Sequence, residues 1–281
     1  MYTTFIISHN NADGMKTLDT LRSMEFNTPY YVVIDDSDKQ IDRYIDLYGD
    51  NLLVFSKQHY MHTADTITMP KEECSALYVK QYIEYFCNEH EITTFIIIDD
   101  DLKGLRFRYL CEDKILSLPV DCINQVFAAY VDYMVTANLC GLCFGIHSMY
   151  MNKDYKPHSR RQFTNIYFRN GKIKFNWVSQ IYDDLNSCLW CADSDSVILM
   201  LPFVQMDFEP QYFQIQNKGS DKFKIGGLVD LYNNNDSFRR AFVSTIIKPS
   251  GVRPYLNKQV WMMRTDTDKT FPKIISSMFK K

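Results

Sequence analysis

The chain has 281 residues, 46% of them hydrophobic and 15% aromatic, enough for one substantial core, and a formal net charge of −3, which argues against tight nonspecific binding to a polyanion. No apolar run approaches the roughly 20 residues of a membrane span, and the first residues lack the basic start and cleavage site of a signal peptide. A cytoplasmic location with no membrane partner is therefore the expectation.

In chain order, short apolar strands alternate with helical patterns. A strand is predicted over Thr3 to Ser8, a helix over Gly14 to Met24, a strand over Tyr30 to Ile34, a helix over Ile41 to Tyr48 and a strand over Leu52 to Ser56. A helix from Lys71 to Asn88 leads to a strand over Thr94 to Ile98, and one from Val120 to Ala137 leads to a strand over Leu142 to His147. This alternation is the mark of an α/β fold with a mostly parallel central sheet covered by helices on both faces. The second half has a different texture, with a hairpin predicted from Ile166 to Phe168 and Lys172 to Trp177 around Arg169-Asn170-Gly171. A helix then starts near Asp183-Asp184 and a strand runs from Val197 to Val204. Asn217 to Ser220, Gly226-Gly227 and Asn233 to Asp236 read as loops. The expected organisation is one domain, 1–281, with a ligand-binding half, 1–147, and a smaller β and loop half, 148–281.

Each early strand ends in polar residues at the edge where open α/β sheets bind ligands. These are Ser8, His9, Asn10 and Asn11, then Asp35, Asp36 and Ser37, then Asp99-Asp100-Asp101. The last cluster follows Phe95-Ile96-Ile97-Ile98 and carries the most information. Alternation puts Asp99 and Asp101 on one side of the backbone and Asp100 on the other, so two carboxylates can share a hard cation. Mn²⁺ or Mg²⁺ takes one or two carboxylates together with phosphate oxygens and water. A lone Asp after a strand is more often a turn former or helix cap, but three in succession repel one another unless a cation or buried hydrogen bonds answer them. The segment after the first strand, Ser-His-Asn-Asn-Ala-Asp-Gly, carries neither the three-glycine dinucleotide pattern nor a Walker sequence.

The cysteines at 74, 87, 111, 122, 140, 143, 188 and 191 are interspersed with apolar residues and read as reduced core thiols. Cys140-Gly-Leu-Cys143 and Cys188-Leu-Trp-Cys191 have the two-residue gap of zinc knuckles, with His147 and His158 near in sequence. The first pair opens a predicted strand and the second sits on a predicted helix, neither being a ligand turn. Lys153, Lys156, Arg160, Arg161, Arg169, Lys172 and Lys174, with His158, face only Asp154, and Tyr155, Phe163, Tyr167 and Phe168 lie among them. That stretch suits phosphate tracking with base stacking, or equally a solvated basic hairpin with its aromatics in the core.

A strand ending in Asp99-Asp100-Asp101 resembles the DxD motif of the GT-A glycosyltransferases. The resemblance implies a nucleoside-diphosphate-sugar donor, a UDP-sugar being the expected one, and metal-dependent transfer to a hydroxyl. It places Asp99 toward ribose and metal, makes Asp101 the main metal ligand, brings Asp35 or Asp36 near the nucleobase and puts Ser8 and Asn10, with Asp100, around the donor. Asp183-Asp184, followed by a helix and strand, resembles the acidic motif that supplies the base in inverting members. Asp184, or Asp183 in its place, would then deprotonate the acceptor. A late histidine ligand of many members has no counterpart after His158, and Asp207 is a weak substitute. Phe5-Ile-Ile-Ser-His-Asn-Asn, Gly14-Met15-Lys16-Thr17-Leu18 and Ile97-Ile98-Asp-Asp-Asp-Leu102 are most similar to the TET-associated and phage DNA-hypermodification glycosyltransferases. That similarity extends the acceptor to a hydroxymethyl pyrimidine in phage DNA, with the host cytoplasm as location and Arg160 and Arg161 holding DNA or donor phosphates. The alternatives are a nucleotidyltransferase using the same carboxylates and a noncatalytic nucleic-acid-binding module. Oligomeric state is left open.

Overall fold

Strands β1 (Thr3–Ile7), β2 (Tyr30–Asp35), β3 (Leu52–Phe55) and β4 (Thr94–Asp99) are runs of β-branched and aromatic residues, and they pair side by side in parallel, in the order β3-β2-β1-β4. They are seen in a computed structural model that describes residues 1–62, 76–112, 114–146, 165–179, 182–191, 196–208, 236–257 and 260–266. Between them lie α1 (Lys16–Ser23), α2 (Ile41–Tyr48), a short α3 (Lys57–Met61) and α4 (Ala76–Glu89). The expected start of this last helix at Lys71 lies outside the described residues.

The sheet continues past β4 through β8 (Ile166–Asn170), β7 (Gly141–Ile146), β9 (Ile198–Phe208), β5 (Leu102–Cys111) and β6 (Lys114–Pro119). Pairing is antiparallel at β4–β8, β8–β7, β9–β5 and β5–β6 and parallel at β7–β9. Following those directions across the sheet, β8 and β5 alone run against the other seven described strands. The fold is thus α/β with a large, mostly parallel central sheet, and both halves of the chain contribute strands to it.

Strand residues separate by parity, as a pleat requires. Ile6, Val32, Ile34, Ile96, Ile98, Leu142, Phe144 and Phe168 join one buried cluster with Leu18 and Leu21 of α1, Tyr44 of α2 and Phe127 and Val131 of α5 (Ile123–Thr136). Phe5, Val33, Phe95, Ile97, Cys143 and Tyr167 join a second with Leu77, Ile83 and Cys87 of α4 and Cys188 and Cys191 of α6 (Asp183–Cys191).

Three features depart from the sequence expectation. The predicted hairpin does not form: β8 lies between β4 and β7, with Tyr167 opposite both Ile97 and Cys143, so neither edge is open to a second arm. Residues after Gly171 instead run on without regular structure and bury Phe175 and Trp177. Second, the interval from Leu102 to Val120 folds as the β5–β6 hairpin, its turn made by Glu112 at φ 48°. Third, α7 (Asp236–Ile247) and a two-stranded ribbon of β10 (Val252–Asn257) and β11 (Val260–Thr265) pack on α6 through Leu185, Leu189 and Val252. Asp236 opens α7 rather than closing a turn. The loop readings at 217–220, 226–227 and 233–235 lie outside the described residues.

Candidate active site

Because β1, β2 and β4 are parallel, the polar segments that follow them meet at one edge of the sheet, with Ile7 level with both Val33 and Asp99. Thr17, at the start of α1, fixes the acidic turn there. Its hydroxyl donates to the Asp99 carbonyl at 2.5 Å and accepts the Leu102 amide at 3.0 Å, while the Lys16 amide donates to the Asp100 carbonyl at 3.0 Å.

Asp100 faces away from the partners of Asp99, as alternation predicts. Its Oδ2 accepts the Ser8 hydroxyl at 2.5 Å and the Asn11 side-chain amide at 2.8 Å, and Tyr44 Oη bonds Ser8 Oγ at 2.7 Å. Two of the expected donor-binding residues, Ser8 and Asp100, therefore meet, and Asn11 and Tyr44 join them. Asn10 is tied instead to the segment after β2: its amide donates to Asp38 Oδ2 at 2.6 Å and its side-chain oxygen accepts the Lys39 amide at 2.9 Å. Asp35 is buried and takes the Ser37 amide at 2.9 Å, the Ser37 hydroxyl, and His9 Nδ1 at 3.1 Å. Burial works against its ionisation, but the His9 and Ser37 hydrogen bonds win and bring its pKa down to about 2. His9 is itself half exposed, and its pKa is raised chiefly by the bond to Asp35. Asp36 is exposed and accepts the Lys57 amide at the start of α3 at 3.0 Å.

The other side of the acidic turn faces a lysine that sequence reading passed over. Lys80 of α4 is 3% exposed, and its ammonium donates to Asp183 Oδ2 at 2.5 Å and to Tyr167 Oη at 3.0 Å, lying 4.7 Å from the Tyr167 ring centroid and 5.0 Å from that of Trp177. Asp99 and Asp184 act on it through space. The DxD-like turn and the acidic pair at the head of α6, remote in sequence, thus share one buried cation. A signal was present: Leu77, Lys80, Ile83 and Cys87 recur at helical spacing, and a charge within an apolar stripe needs a partner.

Asp99 is pushed up to about 8 by burial, against the pull of Lys80 and with Asp101 and Asp100 adding repulsion. Asp184 is raised to about 6 by burial and by Asp183, although its Oδ1 accepts the Leu185 amide at 2.8 Å. A cation beside Asp99 and Asp101 would relieve the first shift, and two carboxylates suit a hard ion that completes its shell with water and phosphate oxygens. Among the described residues no three His, Cys, Asp or Glu side chains stand together as a ready metal cage. Asp207 does not extend the pair, since it is engaged by Arg106 Nε at 2.5 Å.

The basic stretch is corrected in part. Arg169 is fully buried and forks onto Glu84, with Nε to Oε1 at 2.7 Å and Nη2 to Oε2 at 3.2 Å, while Tyr167 and Phe168 are core residues. A strand with both edges paired and both faces covered cannot present them to phosphates or bases. Lys153, Lys156, Arg160, Arg161, His147, His158, Tyr155 and Phe163 lie outside the described residues, as does Cys74. Cys140, Cys143, Cys188 and Cys191 are buried in the second cluster, and burial pushes the Cys140 and Cys191 thiols up. No helix of the described residues is long and apolar enough to cross a membrane.

Compared with known proteins, residues 2–206 match the model of a family described as TET-Associated Glycosyltransferase, a span that includes Asp99 to Asp101, Lys80, Asp183 and Asp184. No curated protein matches. Among solved structures, one titled "Crystal Structure of a Mycobacterial Protein" is similar over 94% of this chain and 83% of that chain, with a TM-score of 0.43 and 6% identity, too distant a likeness to carry a functional argument.

Proposed function

Because the chain belongs to the TET-associated glycosyltransferase family, we propose that it transfers a sugar from a nucleoside-diphosphate donor, a UDP-sugar in the first instance, to a hydroxyl group, through a metal-dependent, GT-A-like site with helices on both faces of the sheet. The observation that supports this most is the meeting of Asp99 and Asp101 with Asp183 and Asp184 around Lys80 at the ligand-binding edge. Asp99 and Asp101 would hold Mn²⁺ or Mg²⁺, which when bound supplies positive charge to the departing diphosphate. Ser8, Asn11 and Asp100 form the floor beside it, and Asp35 with His9 lies where β2 ends, toward the nucleoside.

The chain's own residues supply the proton chemistry. Asp184 takes the proton of the acceptor hydroxyl, that oxygen forms a bond to the anomeric carbon, and the bond from that carbon to phosphate oxygen breaks with its electron pair leaving on the diphosphate. This is the course of an inverting transfer. The acceptor we propose is a hydroxymethylated pyrimidine in DNA, following the family's association, with Arg160 and Arg161 among the residues that would hold its phosphates.

The test is a panel of nucleoside-diphosphate sugars with Mn²⁺, read as donor hydrolysis and as a rise in melting temperature. One donor is expected to stand out, and Asp101→Asn is expected to abolish turnover and weaken Mn²⁺-dependent donor binding while the protein stays folded, because partial neutralisation relieves repulsion in the metal-free turn. Full activity in Asp101→Asn would remove the central claim.

A further inference from the structure

Two adjacent carboxylates head α6, and the sequence leaves open which one takes the acceptor's proton. The structure treats them differently. Asp183 is engaged by the Lys80 ammonium at 2.5 Å, with Tyr167 Oη on the same nitrogen at 3.0 Å, whereas Asp184 Oδ1 accepts a neutral amide, that of Leu185, at 2.8 Å. Lys80 is placed without choice: it projects from α4 into the packed second cluster, between the Tyr167 and Trp177 rings. A buried ammonium held by two partners and two aromatic faces has one position, so the carboxylate it touches is fixed as its counter-ion.

We infer that Lys80 is the positioning residue that divides the roles of the acid pair, holding Asp183 as a permanent anion and leaving Asp184 to exchange the proton. The inference rests on the reading of that pair as the acceptor's base. A carboxylate locked to a buried ammonium is a poor proton acceptor, because protonating it would strand the cation. Its neighbour feels the negative Asp183 more directly than the cation, and its proton affinity rises toward the range useful for a base at neutral pH. The charged and titratable groups around Asp184 are Asp183 on its own helix, Lys80 from α4 and Tyr167 from β8. Helix α7, packed on α6, is followed by the buried Lys248, and the exposed Arg253 and Arg264 belong to the ribbon beyond it.

The experiment follows the side-chain carboxyl signal of Asp184 by ¹³C NMR as a function of pH in protein labelled at aspartate, with Asp184→Asn assigning the signal. In Lys80→Met the midpoint is expected to rise by about one pH unit, tenfold in proton affinity, as two like charges lose their shared cation. Lys80→Arg is expected to restore the wild-type midpoint, and the acidic limb of kcat is expected to move with the midpoint in each variant. A folded Lys80→Met protein with an unchanged midpoint would overturn the assignment. Should Lys80→Met fail to fold, Asp183→Asn breaks the same contact from the other side. It is expected to lower the Asp184 midpoint, and an unchanged or raised value overturns the proposal. Donor turnover measured on the same wild-type sample separates the two claims: its absence counts against sugar transfer alone, because the titration is read without substrate.

Discussion

At the scale of single residues, burial decides what each charge can do. Asp184 binds its proton more tightly in the fold than in the unfolded chain, so it is protonated at low pH and becomes a competent base as pH rises through about 6. The transfer rate should climb across that interval, read as kcat against pH. Asp184→Asn should remove the limb and lower the rate by roughly 10² to 10⁴, with donor affinity nearly retained. A variant that loses donor binding instead would place Asp184 in the nucleotide pocket. The same ionisation costs stability, since a raised carboxyl is harder to charge in the fold as pH passes from 3.8 toward about 6. Arg169 shows the converse lesson. Its position in a basic run suggested a phosphate contact, but Glu84 and burial between β4 and β7 make it part of the core.

At the scale of elements, the acidic turn depends on a helix that approaches it from far earlier in the chain. Thr17 bridges the Asp99 carbonyl and the Leu102 amide, and that amide belongs to a buried residue. Thr17→Val keeps the shape and deletes both bonds, and it should cost about 1–3 kcal/mol, the usual penalty for stranding a buried donor. It should also weaken Mn²⁺-dependent donor binding by loosening the turn. Thermal melts and calorimetric titration check the two effects, and a destabilised protein with undiminished Mn²⁺-dependent binding would mean that the turn holds its shape without Thr17. The parallel strands were legible because their apolar runs are continuous and bounded by polar residues. The β5–β6 hairpin was not. Lys103, Arg106 and Arg108 interrupt its apolar pattern, and β5 owes its place to pairing with β9 across a bulge near Gly104, a long-range contact that local periodicity does not register.

For the molecule as a whole, the knot between the segments after β1 and β2 ties stability to acid. Asp35 has a folded pKa of about 2 against an ordinary 3.8, so its contribution, about 2 kcal/mol, is fully present above pH 4 and is lost as pH falls toward 2. His9 has the opposite sign: its raised pKa adds stability below the unfolded value of 6.5, which disappears as pH climbs through its folded pKa. Denaturant midpoints between pH 2 and 5 should therefore fall more steeply in wild type than in Asp35→Asn, and parallel curves would exclude Asp35 as the source. The proposed DNA acceptor is also tested at this scale. Neutralising Arg160 and Arg161 together should weaken DNA association and flatten its salt dependence by nearly one unit of slope per lost phosphate contact, leaving donor hydrolysis by water unchanged. Loss of hydrolysis with DNA affinity intact would assign both arginines to the diphosphate instead.

Sequence alone determined the alternating elements of the first half, the edge where their polar ends gather, the DxD-like turn and the family resemblance, because these follow from local periodicity and short motifs. Tertiary structure alone decided that Lys80 joins the two acidic segments, that β8 fills the gap between β4 and β7, and that Asp35 and Asp100 spend their carboxylates on neighbouring loops. Each of these is a contact selected by the need to pair buried charge and fill both edges of a central strand, and most of them join residues distant in the chain. A one-dimensional pattern shows that a charge lies on an apolar face, and only packing shows which charge answers it.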